Sequence, residues 1–190
     1  MKVVLLAAGL SSRMRCGNKL LIPLPGGSLL ERALENALSY CGDVTLICGN
    51  DSDRVCSAAG KYAVNILYNP DYASGQETSI RTALEKLDGP LAILPCDLPL
   101  ISPDCYLECE RMLAGHSAAR PVYKGTAGHP VALSQEAVEL YRSSGVRLRD
   151  LLKSLDTNFY ATSHEAAVHD IDTDAELERF RAEVSSPLHQ

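Results

Sequence analysis

Short apolar runs alternate with amphipathic segments along the first hundred residues of the chain. Residues 3–7 are apolar without interruption, which is typical of a central parallel strand covered on both faces. Similar runs predict strands at 44–48, 64–68 and 91–94, and amphipathic segments predict helices at about 28–40, 51–61 and 77–87. Ser28 and Glu31 have the spacing of a capping box at the start of the first helix. Because strand and helix alternate, the sequence predicts βαβ units and a mostly parallel sheet of the α/β class.

The pattern changes after about residue 104. It predicts helices at 105–113, 135–143, 147–155 and 174–184, and strands at 117–123, 129–133 and 158–162. The segment 124–128 contains two glycines and is predicted to join two of these strands as a hairpin-type connection. No repeat or low-complexity linker divides the sequence, so residues 1–184 are predicted to form a single domain, followed by a flexible tail at 185–190.

The composition is that of a folded protein that does not bind nucleic acid. Hydrophobic residues make up 46% of the 190 residues, which is enough for a buried core. The formal net charge is −6, and no run of lysine and arginine provides the clustered basic face that a duplex needs. The seven cysteines include no C-x-x-C pair, which favours reduced thiols in a reducing compartment over a zinc site.

The first ten residues have a lysine and then an apolar run, as a short signal peptide has. Residues 11–15 read Ser-Ser-Arg-Met-Arg and offer no cleavage region of small residues. The apolar stretch is also far below the roughly 20 residues of a membrane span. We therefore interpret it as a buried first strand, and we expect a cytoplasmic protein with no membrane partner.

Two polar segments follow predicted strands and are expected to meet at one edge of the sheet. Residues 8–19 form a loop rich in glycine, serine and basic side chains, and Asp97 follows the fourth strand. Ligands of parallel sheets bind at the carboxyl ends of the strands. A carboxylate there can hold Mg²⁺, which prefers one or two carboxylates together with phosphate oxygens and water. The alternative is an aspartate that only caps a helix or turn.

The loop has the chemistry of a phosphate site without the spacing of a standard one. Its small residues let the backbone approach a ligand closely, and their N–H groups can cradle phosphate oxygens. Arg13 and Lys19 can neutralise the phosphate charge. The segment is neither G-x-G-x-x-G nor a P-loop. On spacing alone, the alternative is a tight surface turn that carries solvated charges.

Five motifs, in order, resemble those of nucleotidyltransferases related to the molybdenum-cofactor cytidylyl- and guanylyltransferases. The first, Leu-Ala-Ala-Gly-x-Ser-Ser-Arg-Met, begins at Leu6 and is followed by Lys19. The others are Asn-Pro-Asp-Tyr-Ala-Ser-Gly at 69–75 with Thr-Ser-Ile-Arg at 78–81, Cys-Asp-Leu-Pro at 96–99, Gly-His-Pro-Val at 128–131, and Asp-Ile-Asp-Thr at 170–173. The resemblance spans about residues 3–180, nearly the whole chain.

The resemblance implies a Rossmann-like three-layer α/β/α nucleotidyltransferase domain. It implies a nucleotide-binding half at about 1–100 and an acceptor-binding half at about 101–184. The implied reaction is the Mg²⁺-dependent transfer of CMP from CTP to the phosphate of the molybdenum cofactor (molybdopterin), with release of pyrophosphate and a molybdenum hydroxylase as recipient of the product. Ala8 favours the cytidylyl branch, because the guanylyl branch usually has glycine at this position.

By the same resemblance, Arg13, Lys19 and Asp97 are the expected catalytic residues. The expected nucleotide-binding residues are Leu6, Ala7, Ala8, Gly9, Ser11, Arg13, Lys19, Gly75, Ser79 and Asp97. The expected metal ligands are Asp97 and Asp172, with Asp170 as the alternative to Asp172. His129 is the expected contact to the acceptor, although a histidine beside proline in a hairpin is often structural. The 170–173 motif also fits a simple cap of the last helix.

The chain departs from the family pattern at three places. The loop between Arg13 and Lys19 is longer and more basic than usual, Cys96 replaces a glycine, and residues 144–149 lack the aspartate of a Gly-Asp-x-Gly-x-Arg motif. Two alternatives therefore stay open. The first is a nucleotidyltransferase that uses GTP or another phosphorylated acceptor, such as a sugar or polyol phosphate. The second is a non-catalytic accessory protein that carries nucleotide or cofactor to a molybdenum hydroxylase.

Overall fold

The computed structural model describes residues 1–15 and 17–185, and its central element is an eight-stranded mixed sheet. The strands are β1 Lys2–Ala7, β2 Val44–Cys48, β3 Asn65–Tyr68, β4 Leu91–Pro95, β5 Ala118–Tyr123, β6 Thr126–Ala127, β7 Val131–Leu133 and β8 Thr157–Ala161. The helices are α1 Leu29–Tyr40, α2 Ser52–Ala59, α3 Gln76–Lys86, α4 Pro103–Leu113, α5 Gln135–Ser144, α6 Leu148–Leu151 and α7 Asp174–Val184. The strand order is β3-β2-β1-β4-β7-β5-β6, with β8 paired to β5.

Strands β1 to β4 are parallel, as the sequence predicts, and β1 lies in the middle of them. Leu6 of β1 is opposite Ile47 of β2 on one side and opposite Pro95 of β4 on the other. The chain thus builds from β1 outward to β3 and then returns to place β4 on the other side of β1. This reversal of strand order creates a crevice at the carboxyl ends of β1 and β4, where open α/β sheets bind ligands.

Successive residues of β1 face two different layers of helices. Val3, Leu5 and Ala7 belong to the core that includes α1, α2, α4 and α7, whereas Val4 and Leu6 belong to the core that includes α3, α5 and α6. All five side chains are buried. The three-layer α/β/α arrangement is therefore confirmed, and burial on both faces explains why the sequence of β1 is apolar without alternation.

The other half of the sheet is mostly antiparallel. Strand β7 is antiparallel to β4 and β5, and β8 is parallel to β5. The strand predicted at 129–133 is shorter in the structure, because pairing begins only after Pro130, which has no N–H to donate. The predicted connection at 124–128 contains the short strand β6. Its turn residues Lys124 and Gly125 both have positive φ, as a type I′ hairpin requires.

The helix predicted at 147–155 is also shorter than expected. Only Leu148–Leu151 is helical, as α6. After it, the N–H groups of Lys153 and Ser154 donate to carbonyl groups three residues earlier in the chain. Such i→i−3 hydrogen bonds tighten the chain into turns, which ends the α-helix early.

Two helices begin with capping boxes. At the start of α1, the Ser28 hydroxyl accepts the Glu31 N–H at 3.3 Å, and the Glu31 carboxylate accepts the Ser28 N–H at 2.8 Å, as predicted. Thr173 and Glu176 form the same reciprocal pair at the start of α7. Thr173 therefore does cap the last helix, and this cap fixes Asp172 immediately before the first helical turn.

No helix in the ranges 1–15 and 17–185 is long and apolar enough to cross a lipid bilayer. The tail expected at 185–190 begins with Ser185, which is the C-cap of α7 and donates its N–H to the Arg181 carbonyl. Residues 186–190 lie outside the described part of the chain.

Gly49 follows β2 at a close approach between the loops of the sheet edge. A methyl group at this position would lie 2.5 Å from Tyr72 Cβ and 2.8 Å from Ala8 Cβ. We expect Gly49→Ala to lower the free energy of unfolding by about 1–3 kcal/mol in urea denaturation, as overpacked sites do. Gly9→Ala is the matched control, since a methyl group there meets nothing within 4 Å. Equal stability of the two variants would contradict the close packing at Gly49.

Candidate active site

The carboxyl ends of β1 and β4 bring the two predicted polar segments together. Leu6 and Pro95 are paired residues of these strands, and the Cys96 N–H donates to the Leu6 carbonyl at 3.1 Å. The chain then leaves β1 through Ala8 and Gly9, and it leaves β4 through Asp97. The prediction that the loop after β1 and Asp97 meet at one sheet edge is thus confirmed.

Lys19 is the central cation of this edge. It begins a short 3₁₀ turn, Lys19–Leu21, which Asn18 caps, and the Lys19 N–H donates to the Ser11 hydroxyl at 3.3 Å. Its ammonium nitrogen lies 2.7 Å from a carboxylate oxygen of Asp97 and 2.7 Å from one of Asp172. Burial lowers the pKa of Lys19, but the two carboxylates outweigh burial, so this pKa is raised above its usual value. The ammonium is therefore charged at neutral pH.

Asp97 is a buried carboxylate with one oxygen in an ion pair and the other without a partner among the described residues. Oδ2 faces Lys19, whereas Oδ1 is inaccessible to solvent and has no hydrogen-bond partner among the described residues. Burial raises the pKa of Asp97 above its usual value; Lys19 opposes this effect, and the charges of Asp170 and Asp172 add to it. A buried, unpaired carboxylate oxygen is costly unless a cation or a donor satisfies it, so Asp97 Oδ1 is suited to a ligand.

Asp172 has both oxygens in hydrogen bonds to cations. Oδ1 accepts from Lys19 at 2.7 Å, and Oδ2 accepts from Arg13 at 2.5 Å. The hydrogen bond from Lys19 is the main reason that the pKa of Asp172 is lowered, and Arg13 acts in the same direction. Asp170, the alternative metal ligand, is exposed and lines the same cavity as Asp97 and Asp172.

A metal ion fits these carboxylates only together with a ligand that supplies further oxygens. The residues 1–15 and 17–185 contain no group of three or more histidine, cysteine, aspartate or glutamate side chains arranged to hold a metal. Mg²⁺ does not need such a group, since one or two carboxylates with phosphate oxygens and water suffice. The free Oδ1 of Asp97 is the observation that fits a divalent cation at this edge.

A cleft of about 210 Å³ opens beside Lys19 and Asp97. Among the predicted nucleotide-binding residues it is lined by Leu6, Ala8, Gly9, Ser11, Lys19, Gly75, Ser79 and Asp97. Ala7 does not line it, because its side chain points into the core of the opposite face. Arg13 lines an adjoining shallow pocket with Ser12 and Asp172. The predicted loop residues therefore lie together, with Ala7 as the exception among their side chains.

The far wall of the cleft comes from the segment between β3 and α3. Gly75, with φ of 108°, turns the chain into α3. The Ser79 hydroxyl accepts a hydrogen bond from the buried Asn69 amide at 2.9 Å, and the Thr78 hydroxyl accepts one at the same distance. Asn69 therefore fixes the first turn of α3 against the end of β3.

A second cavity, of about 440 Å³, lies on the other side of Asp97 and includes Gly128 and His129. Burial, reinforced by the nearby positive charge of Arg120, lowers the pKa of His129 to about 4, so its ring is neutral at neutral pH. Its Nδ1 atom is buried and has no hydrogen-bond partner in the described part of the chain. The structure thus places the predicted acceptor residue in a cavity that shares Asp97 with the first cleft.

Sequence reasoning missed two residues at this edge. Tyr72 lines the first cleft, and Gln76 lines that cleft and the second cavity. Tyr72 lies inside the segment 69–75 that carries the family resemblance, and Gln76 follows that segment directly. The position of both residues could therefore have been predicted from the motif. Nothing in their own residue types distinguishes them from surface side chains.

The comparisons with known proteins agree with this geometry. A sequence model described as the MobA-like NTP transferase domain matches residues 3–159. The molybdenum cofactor cytidylyltransferase of Escherichia coli is 28% identical over 174 residues, which cover 90% of this chain and 90% of that protein.

Solved structures show the same fold. Molybdopterin-guanine dinucleotide biosynthesis protein A from Archaeoglobus fulgidus matches with a TM-score of 0.74 and 21% identity over 97% of this chain and 99% of that one. A nucleotidyl transferase from Methanothermobacter matches with a TM-score of 0.80 and 18% identity over 97% of both chains. At these identities the likeness concerns the fold alone.

Asp97 and Asp172 are expected to affect stability in opposite directions. Because the folded-state pKa of Asp97 is raised, ionising it opposes folding as pH rises above the unfolded value of 3.8. Asp97→Asn is therefore expected to be at least as stable as the original chain at neutral pH, with the difference closing below pH 3.8. The pKa of Asp172 is lowered, so its stabilisation is present above 3.8 and is lost as pH falls through the folded pKa.

Asp172→Asn is accordingly expected to be less stable than the original chain at neutral pH. Urea denaturation at neutral and at acidic pH measures both effects. A strongly destabilised Asp97→Asn, or an Asp172→Asn variant of unchanged stability, would contradict these pKa directions.

Proposed function

The chain belongs to the family of MobA-like NTP transferase domains, and we propose that it transfers CMP from CTP to the phosphate of the molybdenum cofactor, releasing pyrophosphate. It is a nucleotidyltransferase; the identity of the two substrates is the proposal. The observation that carries it is the contact of one ammonium, Lys19, with both Asp97 and Asp172 between two cavities. This arrangement suits a reaction in which two phosphate groups must meet.

The reaction needs positioning and charge neutralisation more than a proton shuttle. An oxygen of the acceptor phosphate attacks the α-phosphorus of CTP and forms a new P–O bond. The bond from the α-phosphorus to the oxygen that bridges to the β-phosphate breaks, and pyrophosphate leaves with the electron pair. An ionised acceptor phosphate has no proton to lose at the attacking oxygen, so a neutral His129 is not required as a base.

Arg13 and Lys19 are the groups of this chain that would neutralise the phosphates. Both follow β1 in the chain, and both contact Asp172, which holds them at the mouth of the cleft. Preorganised cations of this kind are worth more at a transition state than solvated ones, because they need not be reoriented. Asp97 and Asp172 would hold Mg²⁺, which supplies further neutralisation of the triphosphate when bound.

The choice of CTP rests on Ala8, which lines the first cleft. Ala8 places a methyl group where the family resemblance associates glycine with the guanylyl branch. The Cβ atoms of Ala8 and Tyr72 both pack against Gly49, where a side chain would collide with them. The Escherichia coli relative is named a cytidylyltransferase, and this supports the same choice.

The choice of acceptor rests on the second cavity and on the same relative. The cavity adjoins Asp97, has room for a group much larger than phosphate, and includes His129. We accordingly propose that residues up to about 100 bind the nucleotide and residues 101–184 bind the acceptor, within a single domain. We also propose a cytoplasmic reaction, consistent with the free thiols of the six described cysteines, and delivery of the product to a molybdenum hydroxylase.

Pyrophosphate release tests the proposal directly. The purified chain is incubated with Mg²⁺, molybdenum cofactor and each nucleoside triphosphate in turn, and we expect release only with CTP and cofactor together. Asp97→Asn is expected to lower kcat/KM by about 10²- to 10³-fold, as the loss of an electrostatic group at a reaction centre does. Asp53→Asn is the matched control and is expected to change it by less than about twofold, because Asp53 is exposed on α2 and lines none of these cavities.

Other outcomes reassign parts of the proposal. Release with GTP instead of CTP would make the nucleotide choice wrong, and release with sugar or polyol phosphates would make the acceptor choice wrong. Full activity of Asp97→Asn would overturn the assignment of the reaction centre.

Ala8→Gly tests the base preference separately. Removing the methyl group widens the cleft, so the ratio of kcat/KM for GTP to that for CTP is expected to rise by about tenfold or more. The comparison is internal, because both nucleotides are measured on the same variant. An unchanged ratio would show that another residue selects the base.

A further inference from the structure

A third cavity, of about 310 Å³, lies beyond His129 on the side away from Asp97. It shares Gln76 and His129 with the acceptor cavity, so the two spaces adjoin. Three arginines line it, namely Arg120, Arg147 and Arg149, together with the apolar side chains of Ile80, Val131, Leu148 and Leu152. We name this space the arginine pocket.

The positive charge of the arginine pocket is only partly neutralised by carboxylates of the chain itself. Arg120 is half-buried, forms no ion pair among the described residues, and donates only to the carbonyl groups of Gly128 and Ala127. Burial lowers the pKa of Arg120. A partly desolvated cation without a counterion is unfavourable, which makes it ready to bind an anion.

The other charged groups of the pocket reduce this imbalance without removing it. Arg149 is exposed and makes no hydrogen bond or ion pair within the ranges 1–15 and 17–185. Arg147 is paired with Asp150 at 2.8 Å. The one carboxylate in the lining is Glu77, and it accepts hydrogen bonds from the Tyr141 hydroxyl at 2.7 Å and the Leu148 N–H at 2.9 Å. Asp150 and Glu77 together balance two of the three arginine charges, which leaves one net positive charge. Arg120 and Arg149 are the arginines of the lining that have no carboxylate partner among the described residues.

His129 adds a neutral hydrogen-bonding group between the two cavities. Its buried Nδ1 has no partner in the described part of the chain, and its ring lines both spaces. Buried polar atoms without partners are rare in folded proteins and often mark a ligand site. This unpartnered nitrogen is an observation independent of the arginines, and it points to the same place.

We propose that the arginine pocket binds a second anionic group of the acceptor, at the end remote from the phosphate that reacts. The proposal rests on the proposed transfer to a phosphorylated acceptor and adds a requirement to it: the acceptor carries negative charge at both ends. The reacting phosphate lies in the cavity of Asp97, and the second anion lies against Arg120 and Arg149. Apolar walls at Ile80 and Val131 enclose the part of the ligand beside it.

Such a second site gives the enzyme a means of rejecting simple phosphate esters. A phosphate with a neutral remainder would satisfy the reaction centre and leave Arg120 unpaired in a partly desolvated position. An unpaired buried charge costs binding free energy, so a site built for two anions discriminates against ligands that carry one. Acceptor specificity would then depend on the arginine pocket more than on the cavity at Asp97.

Arg149→Gln tests the proposal with little risk to folding, because the Arg149 side chain is exposed and makes no hydrogen bond or ion pair within the described residues. Equilibrium dialysis measures the Kd for molybdenum cofactor without nucleotide and, separately, the Kd for CTP with Mg²⁺. We expect the Kd for the cofactor to rise by about tenfold, as on loss of a charge-assisted hydrogen bond, while that for CTP stays unchanged. Arg149→Lys is expected to recover part of the affinity.

Arg179→Gln is the matched control, since Arg179 is exposed on α7 and lines none of these cavities. An unchanged Kd for the cofactor in Arg149→Gln would overturn the inference and leave the proposed function intact. If the original chain does not bind the cofactor, the proposed acceptor fails, and inorganic sulfate then serves as the probe. Weaker sulfate binding in Arg149→Gln than in Arg179→Gln would support an anion pocket for another acceptor, and equal binding in the two would overturn it.

Discussion

The ammonium of Lys19 holds together the segments that form the active-site edge of the sheet. It joins three segments that are far apart in sequence: the loop after β1, the loop after β4, and the segment before α7. Each contact is short, at 2.7 Å, and the cluster is shielded enough from water for its charges to interact strongly. The position of the two cavities follows from this cluster, because each is lined by Asp97.

The two carboxylates of the cluster differ in their environments, and this difference matters for the proposed function. Asp172 is fully hydrogen-bonded by cations, so ionising it stabilises the fold. Asp97 is held in a site where burial opposes ionisation, with one oxygen left without a partner. A fold that keeps a charged group in such a position gives up stability there, as functional sites commonly do. The unpaired oxygen becomes useful when phosphate and a divalent cation approach.

Much of the nucleotide half could be predicted from the sequence, because its signals are local. The uninterrupted apolar run of β1, the strand at Val44–Cys48 and the capping box at Ser28 all follow from neighbouring residues. In the other half, the helix Asp174–Val184 has local signals of the same kind. The second half was less accessible. The early end of α6 and the short strand β6 depend on turn geometry and tertiary pairing, which periodicity does not record. The ion pairs of Asp172 and the lining of the arginine pocket each combine residues from separate elements. No local sequence pattern predicts them.

Binding of a divalent cation in the presence of CTP is the sharpest test of whether the reaction centre lies at the free oxygen of Asp97. Mn²⁺ can stand in for Mg²⁺ in a titration followed by electron paramagnetic resonance, with the original chain compared with Asp97→Asn. The account predicts that the original chain binds Mn²⁺ only together with CTP and that Asp97→Asn weakens this binding by about tenfold or more. Equal Mn²⁺ affinity in the two proteins would contradict it and would move the reaction centre away from the Lys19 cluster.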